Sequence, residues 1–438
     1  MSKKIFIGPF EIAGYYSNLT KGFREIGLDV DFITYNEHPF DYGGETSNPV
    51  LIRLAKYFNH FKENSNLPFV ISLIVSLPAI PLKAIWVIWA IVNYDVFIFG
   101  FGRSLLRKNL DLPILKWLGK TVIVNLAHGS DARPPYIDGA LHDKNFEEEG
   151  EETIRSLTKA SKEKIEWIED NVSLIIGSPL SSSQFLDSLF INTFVIGAPY
   201  GISAQRDHNF VKEQNLKEEN NTIRILHAPS DPAAKGSHLI IKAVENLKEK
   251  GYEINLNLIK GKKNSKVIKA IKQCDFVIDQ VFCDTPMSGI ASEAARFAKP
   301  TVVGGYGFEQ LKNLVPKDMW PPSMTCHPDE IEDAIEEMIL NIEKRKQIGM
   351  DAYEFIFCKR EITSVAHNYM KLINNEIPNH WWFNPSDIEY LYGLGQSIDQ
   401  TKEIIKQMIN KFGAESLCLR HRPDLEQAFI DLTFGKSK

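Results

Sequence analysis

The sequence predicts an α/β protein built from two doubly wound parallel-sheet domains, followed by a helical C-terminal extension. Three observations carry this. Near-continuous Val/Ile/Leu/Phe runs, spaced by helix-like segments, fill the first half of the chain, and the same rhythm restarts in the second half. Such runs are the strands of parallel sheets whose two faces are covered by helices. A polar stretch, residues 203–221, separates the two sets, and 438 residues is the length of two or three domains with sizeable cores. Two Rossmann-like domains of this kind face each other across a cleft, with ligands at the carboxyl ends of the strands.

In chain order, the first set of expected strands is 4–8, 30–35, 95–100, 121–127, 173–178 and 194–198, with helices over 16–26 and 153–171 among the connections. The second set is 222–228, 254–260, 276–280 and 301–305, separated by helices at 237–250, 264–273, 289–298 and 328–345. Past about residue 350 the strand pattern stops, and helices are expected at 353–375, 397–411 and 423–433. The division is therefore 1–200, 201–352, a helical segment 353–378 and an extension 379–438.

Composition narrows the class. Hydrophobic residues make up 44% and charged residues 24%, which excludes a disordered chain, a fibrous repeat and a coiled coil. The net charge of −6 argues against a nucleic-acid partner bound over the whole surface. Cys274, Cys283, Cys326, Cys358 and Cys418 are scattered and form no C-x-x-C, which points to a reducing, cytoplasmic setting rather than a disulfide framework or a cysteine-rich zinc site. The short apolar run at 5–7, interrupted by Gly8-Pro9, reads as a buried first strand and not as a signal peptide.

The charge is uneven. Residues 51–120 hold nine Lys/Arg and three acids, a net of +6 that leaves −12 for the rest of the chain. Inside this block, residues 69–92 carry Lys83 as their sole charge and are about long enough to span a bilayer. Pro78 and Pro81 break helical hydrogen bonding in the middle of that stretch. The block reads as a peripheral contact with an anionic membrane, with Lys83, Trp86 and Trp89 as membrane or acceptor contacts. The alternatives are a pair of buried helices with a solvated basic rim, or a true span.

Four motifs fall just after expected strands. After strand one, Gly8 and Gly14 allow close backbone approach ahead of a helix, or simply make a tight turn. After 121–127 comes His128-Gly129-Ser130-Asp131-Ala132-Arg133, a polar cluster where a core would be apolar; a helix cap with a structural His is the bland alternative. After 222–228 comes Ser230 and then Lys235-Gly236 at a helix start, where a lysine beside free N–H groups suits a diphosphate and a solvated lysine is the alternative. After 276–280, Asp284, Thr285, Ser288 and Gly289 lead into a helix with Glu293 one turn on, able to hold a phosphate on the N–H groups and a ribose diol on the carboxylate. A glutamate merely favoured by the helix dipole is the alternative there.

Together these residues resemble the GT-B fold glycosyltransferases, the retaining family 4 (group 1) enzymes in particular. The resemblance rests on Glu293-Ala294…Lys299-Pro300 with its following strand, on His227-Ala228-Pro229…Lys235-Gly236, on His128-Gly129-Ser130-Asp131, and on Ala198-Pro199-Tyr200-Gly201, and it covers roughly residues 3–375. It implies transfer of a hexosyl group from a nucleotide diphosphate sugar, as substrate, to the hydroxyl of a lipid-linked or saccharide acceptor, in bacterial surface polysaccharide or glycolipid synthesis. It also implies that residues 353–378 cross back to the first domain. Glu293 would hold the donor ribose, Ser288 and Gly289 the phosphates, Lys235 and Gly236 the diphosphate, and Gly14 would let the first loop approach the donor. His128 would face the transferred sugar, with Asp131 and Asp284 as fallback carboxylates. No metal and no other cofactor is expected; retention would follow a same-face mechanism in which the leaving phosphate takes the acceptor proton.

Three positions depart from the family pattern. Ser230 stands where an Arg is usual, Thr285 where a Glu is usual, and Ser288 where a Gly is usual. The carboxylate that reads the sugar is then Asp284 or is missing. A GT-B nucleotide-sugar epimerase and an inactive nucleotide-sugar-binding scaffold remain as alternative functions. Trp381 and Trp382 in the extension either contact lipid or acceptor, or pack the tail onto the body.

Overall fold

The computed structural model describes residues 3–35, 49–54, 79–141, 146–200, 210–211 and 222–435. The polar stretch 203–221, apart from residues 210–211, and the first part of the apolar stretch, 69–78, lie outside the described residues.

Among the described residues, twelve strands form two sheets. The first has the order β12-β6-β5-β4-β3-β1-β2, with β1 at Ile5–Gly8, β2 at Val30–Phe32, β3 at Val96–Gly100, β4 at Thr121–Asn125, β5 at Leu174–Gly177, β6 at Phe190–Asn192 and β12 at Trp382–Phe383. All its pairings are parallel except that of β12, which lies antiparallel on β6. The second sheet, entirely parallel, runs β11-β10-β9-β7-β8, with β7 at Ile223–His227, β8 at Ile254–Leu258, β9 at Phe276–Ile278, β10 at Thr301–Gly304 and β11 at Met324–Cys326. Both are doubly wound, as expected. Strand order reverses between β1 and β3 in one sheet and between β7 and β9 in the other, and crevices for ligands open at such switch points.

The central strands are buried on both faces, which is why they read as continuous apolar runs. On one face of the first sheet, the helix Tyr15–Glu25 packs against the helix Ile362–Ile373, bringing Phe23 onto Tyr369. The chain thus returns to the first sheet after completing the second. On the other face, the tail helices Ile398–Phe412 and Pro423–Phe434 join a cluster that reaches from Phe6 and Tyr136 to Cys283 and Val303. Trp381 is buried in the first-sheet core and Trp382 sits in β12, so these rings pack the tail onto the body.

Three expectations need correction. Residues 194–198 are not a strand: Thr193–Ile196 is a helical turn capped by the Asn192 side chain, which accepts from the Phe194 N–H at 3.1 Å, and β6 lies just before it. A short apolar run does not distinguish a buried turn from a strand. The expected helix 328–345 is broken at Asn341, whose side chain caps a new helix, Ile342–Lys359. Pro81 does not end the helix but lies within Ala79–Asn93, while Pro78 lies outside the described residues.

That helix also sorts its tryptophans. Trp86 is 1% exposed, packed beside Phe6 and Tyr35, whereas Trp89 is 43% exposed. Trp86 is therefore a core residue and not a surface contact. Lys83 is half-buried over the Tyr35 ring, and burial lowers its pKa. Among the described residues no helix is long and apolar enough to cross a membrane.

Candidate functional site

Two cavities open at the switch points. One, of about 320 Å³, lies within the second sheet's half and is lined by Ser230, Lys235, Asn264, Asp279, Ser288, Gly289 and Glu293 among others. The other, of about 330 Å³, lies between the sheets and takes its walls from both: His128, Gly129 and Arg133 from one side, Lys235, Asp284, Thr285, Ser288 and Gly289 from the other. Lys235, Ser288 and Gly289 line both cavities and mark where they meet.

The loop after β7 is stapled from below. His227 is wholly buried; its Nδ1–H donates to the Ile278 carbonyl at 2.9 Å, which leaves Nε2 to accept from Ser237 Oγ at 2.7 Å. Burial lowers its pKa and keeps the ring neutral. Asp231 Oδ1 accepts the N–H groups of Ala233 and Ala234, shaping the turn that presents Lys235. Lys235 Nζ then meets Asp279 Oδ1 at 3.1 Å, while the other oxygen of Asp279 accepts from Ser288 Oγ. Asp279 thus aims both groups. Gly236 serves packing instead: it caps the next helix with a positive φ of 67°, and a Cβ there would meet Val281 at 2.9 Å.

In the loop after β9, Gly289 opens onto space, with nothing within 4 Å of a hypothetical Cβ. Glu293 accepts from Asn264 Nδ2 at 2.6 Å on the wall of the first cavity, and burial raises its pKa. Its carboxylate is therefore fixed in the pocket.

On the first sheet's side, His128 Nε2 lies 2.8 Å from Tyr16 Oη, with Tyr15 edge-on at 5.4 Å. Tyr16 reaches it only because residue 100 is glycine; a Cβ there would sit 2.3 Å from the Tyr16 hydroxyl. Desolvation pushes the His128 pKa down to about 4, so the ring is neutral near pH 7. Asp131 is wholly buried and lines neither cavity; its Oδ2 accepts the His128 N–H at 3.4 Å, and burial lifts its pKa to about 6. It shapes the His128 loop from behind the cavity wall. Gly14 likewise stays off the walls, where Ile12, Ala13 and Tyr15 stand.

Asp284 reaches the cavity but is not free. Arg133 bonds it directly and also meets Asp138 at 3.2 Å, all three being buried. Burial works against the guanidinium charge, yet the two carboxylates more than offset this and raise the Arg133 pKa. Asp279, Arg133 and Arg360 are among the wall residues to which the sequence alone assigned no role. Asp279 had a signal, a carboxylate ending an apolar strand at a switch point; Arg360, in Cys358-Lys359-Arg360-Glu361, reads as an ordinary solvated helix end.

No protein-family model matches the chain, and no curated protein matches it. Solved structures do. A point mutant of Staphylococcus aureus TarM, in complex with fondaparinux, alpha-GlcNAc-glycerol and UDP, is 11% identical with a TM-score of 0.50, covering 85% of this chain and 100% of that one. Anabaena Alr3699/HepE in complex with UDP is 13% identical at a TM-score of 0.46, covering 85% and 100%. The catalytic domain of starch synthase IV from Arabidopsis thaliana, bound to ADP and acarbose, is 13% identical at a TM-score of 0.42, covering 86% and 99%. At such identities the likeness is one of fold. The fold is GT-B: two doubly wound domains facing across a cleft.

Proposed function

We propose that the protein is a glycosyltransferase that moves a sugar from a nucleotide diphosphate sugar to an acceptor hydroxyl. The observation that carries this reading is the junction of the two cavities at Lys235, Ser288 and Gly289. One cavity, with the Glu293 carboxylate fixed on its wall, suits a nucleoside whose ribose diol needs an acceptor. The other suits the sugar and the acceptor. The junction suits a diphosphate, held by a cation and open backbone N–H groups. The TarM structure, whose ligands include UDP and alpha-GlcNAc-glycerol, supports the same assignment through its shared fold.

In this reading the anomeric C–O bond to the phosphate breaks and a new one forms to the acceptor oxygen, whose proton passes to the leaving phosphate. Charge grows on the diphosphate, where Lys235 and the Ser288–Gly289 backbone stabilise it without a metal ion. Transfer proceeds with retention, and the neutral His128 ring, held by Tyr16, faces the transferred sugar. Asp284 serves as a structural partner of Arg133 and not as an acid or base.

We further propose that the acceptor is lipid-linked, at an anionic membrane face. The helix Ala79–Asn93 exposes Ile85, Ile88, Trp89 and Val92, one continuous stripe, and the helix Leu112–Trp117 exposes Ile114 and Trp117. Both bury their other faces in the same core, and the surrounding block is basic.

The test is a thermal-shift screen with UDP-, GDP-, ADP- and CMP-sugars, followed by radiolabelled transfer or slow hydrolysis of the sugar that binds. Stabilisation by one class of nucleoside diphosphate sugar and release of its sugar are expected; stabilisation by the monophosphate CMP-sugars alone would contradict the diphosphate. Binding with no turnover across the panel would reduce the protein to a nucleotide-sugar scaffold, and no binding would refute the reading.

A further inference from the structure

The cations on the cavity walls differ in what neutralises them. Lys235 is paired with Asp279, Arg133 with Asp138 and Asp284, and Lys359 with Asp318 at 2.6 Å. Lys262, on the wall of the first cavity, is exposed. Arg360 stands apart: it is 7% exposed, lines the inter-sheet cavity, and forms no ion pair among the described residues. Its partners are neutral. Nη1 donates to Ser292 Oγ at 2.9 Å, and the guanidinium lies over the rings of Phe355 at 5.4 Å and Tyr200 at 6.0 Å. Ser292 Oγ in turn donates to the Ser288 carbonyl at 2.9 Å, which ties the guanidinium to the junction of the cavities.

A buried guanidinium with no anion is costly to maintain, and here desolvation works directly against its charge. The wall charges point to what would balance it. Lys235 and Asp279 cancel, and Arg133 is outnumbered by its two carboxylates, so the buried walls without Arg360 offer no net positive charge. A diphosphate needs one. Position 230, five residues before Lys235 on the loop after β7, holds a serine, so that loop supplies no second cation.

We propose that Arg360, at the junction of the helices Ile342–Lys359 and Ile362–Ile373, is the second diphosphate-binding cation of this site. It rests on the nucleotide-sugar reading above and names a ligand contact within it. The planar fork donates to phosphate oxygens in pairs, and the charge it brings increases in value as the sugar departs and the diphosphate gains negative charge. The segment that returns to the first sheet thereby takes part in donor binding and does not merely tie the domains together.

Isothermal titration of the full chain tests this, using whichever of UDP, GDP, ADP and CDP the wild type binds best, the matching nucleoside, and pyrophosphate. Arg360→Met is expected to weaken the diphosphate and pyrophosphate ~10- to ~100-fold while leaving the nucleoside within about twofold. Arg360→Lys, which keeps the charge but not the fork, should fall between. Ser292→Ala, which unties the guanidinium and also removes the bond to the Ser288 carbonyl, should cost the diphosphate a few-fold and reports even where Arg360→Met does not fold. An unchanged ratio of diphosphate to nucleoside affinity in every folded variant overturns the role of Arg360, most plainly where Lys235→Met does lower that ratio. A wild type that binds no nucleoside diphosphate overturns the nucleotide-sugar reading itself.

Discussion

Arg133→Met removes a guanidinium that holds two buried carboxylates, Asp138 at 3.2 Å and Asp284 in direct contact. The three side chains are 1%, 0% and 9% exposed, so water does not replace the lost partner. Breaking a buried pair by removing one member costs about 3–5 kcal/mol, and two stranded carboxylates place this case toward the upper end. In a cooperative unit of 150–250 residues each kcal/mol moves the midpoint by about 2–4 °C, so Tm should fall by roughly 6–20 °C. Asp284→Asn leaves Arg133 with Asp138 and should cost less. The decisive comparison is the double variant. Arg133→Met with Asp284→Asn strands one carboxylate instead of two, so it should be more stable than Arg133→Met alone, with a coupling of about 1 kcal/mol or more. Differential scanning calorimetry of the four proteins measures this. Strictly additive losses, or an Arg133→Met variant within about 1 kcal/mol of wild type, would refute a desolvated charge cluster between the loops after β4 and β9.

Other outcomes follow from the same geometry. Glu293→Ala removes the fixed carboxylate of the nucleoside cavity and should weaken nucleoside and nucleoside diphosphate alike by about tenfold or more in titration calorimetry; a diphosphate-only loss would contradict the ribose assignment. The His128 pKa is depressed to about 4 in the fold and stands near 6.5 in the unfolded chain. The unfolded chain therefore takes up the proton first, and the stability present above pH 6.5 is lost as pH falls from 6.5 to 4. The loss is about 1–3 kcal/mol for a ring partly open to solvent. His128→Gln should flatten that limb of the stability curve, and an unchanged slope would sink the idea. In vesicle flotation, Trp89→Ala/Trp117→Ala should detach the protein from phosphatidylglycerol-containing liposomes with only a small fall in Tm, because Trp117 is exposed and Trp89 packs one edge on Tyr94; equal flotation of the two proteins would remove the membrane face.

Most of the site's loops are legible in the sequence. Lys235, Ser288, Gly289, Glu293 and His128 all follow apolar strands, and all line the cavities. Asp131 and Asp284 were legible as chemistry-bearing residues but not in their surroundings. Nothing near residue 284 in the sequence signals that Arg133 neutralises it, and nothing near residue 131 signals full burial. The same limit split the two tryptophans of the helix Ala79–Asn93: three residues apart, they differ in which way the helix is turned toward the sheet.

Local pattern alone determined the two doubly wound sheets, most strand positions and the order of the site loops, because a strand buried on both faces must be apolar throughout and a ligand loop must follow it. Only the tertiary structure decided the charge state of the cleft. Arg133 meets Asp284, Lys235 meets Asp279, and Arg360 reaches the Ser288–Ser292 turn, each across long stretches of chain. Coulombic pairing and desolvation depend on distance and burial in space, and neither is encoded in the spacing of residues along the chain.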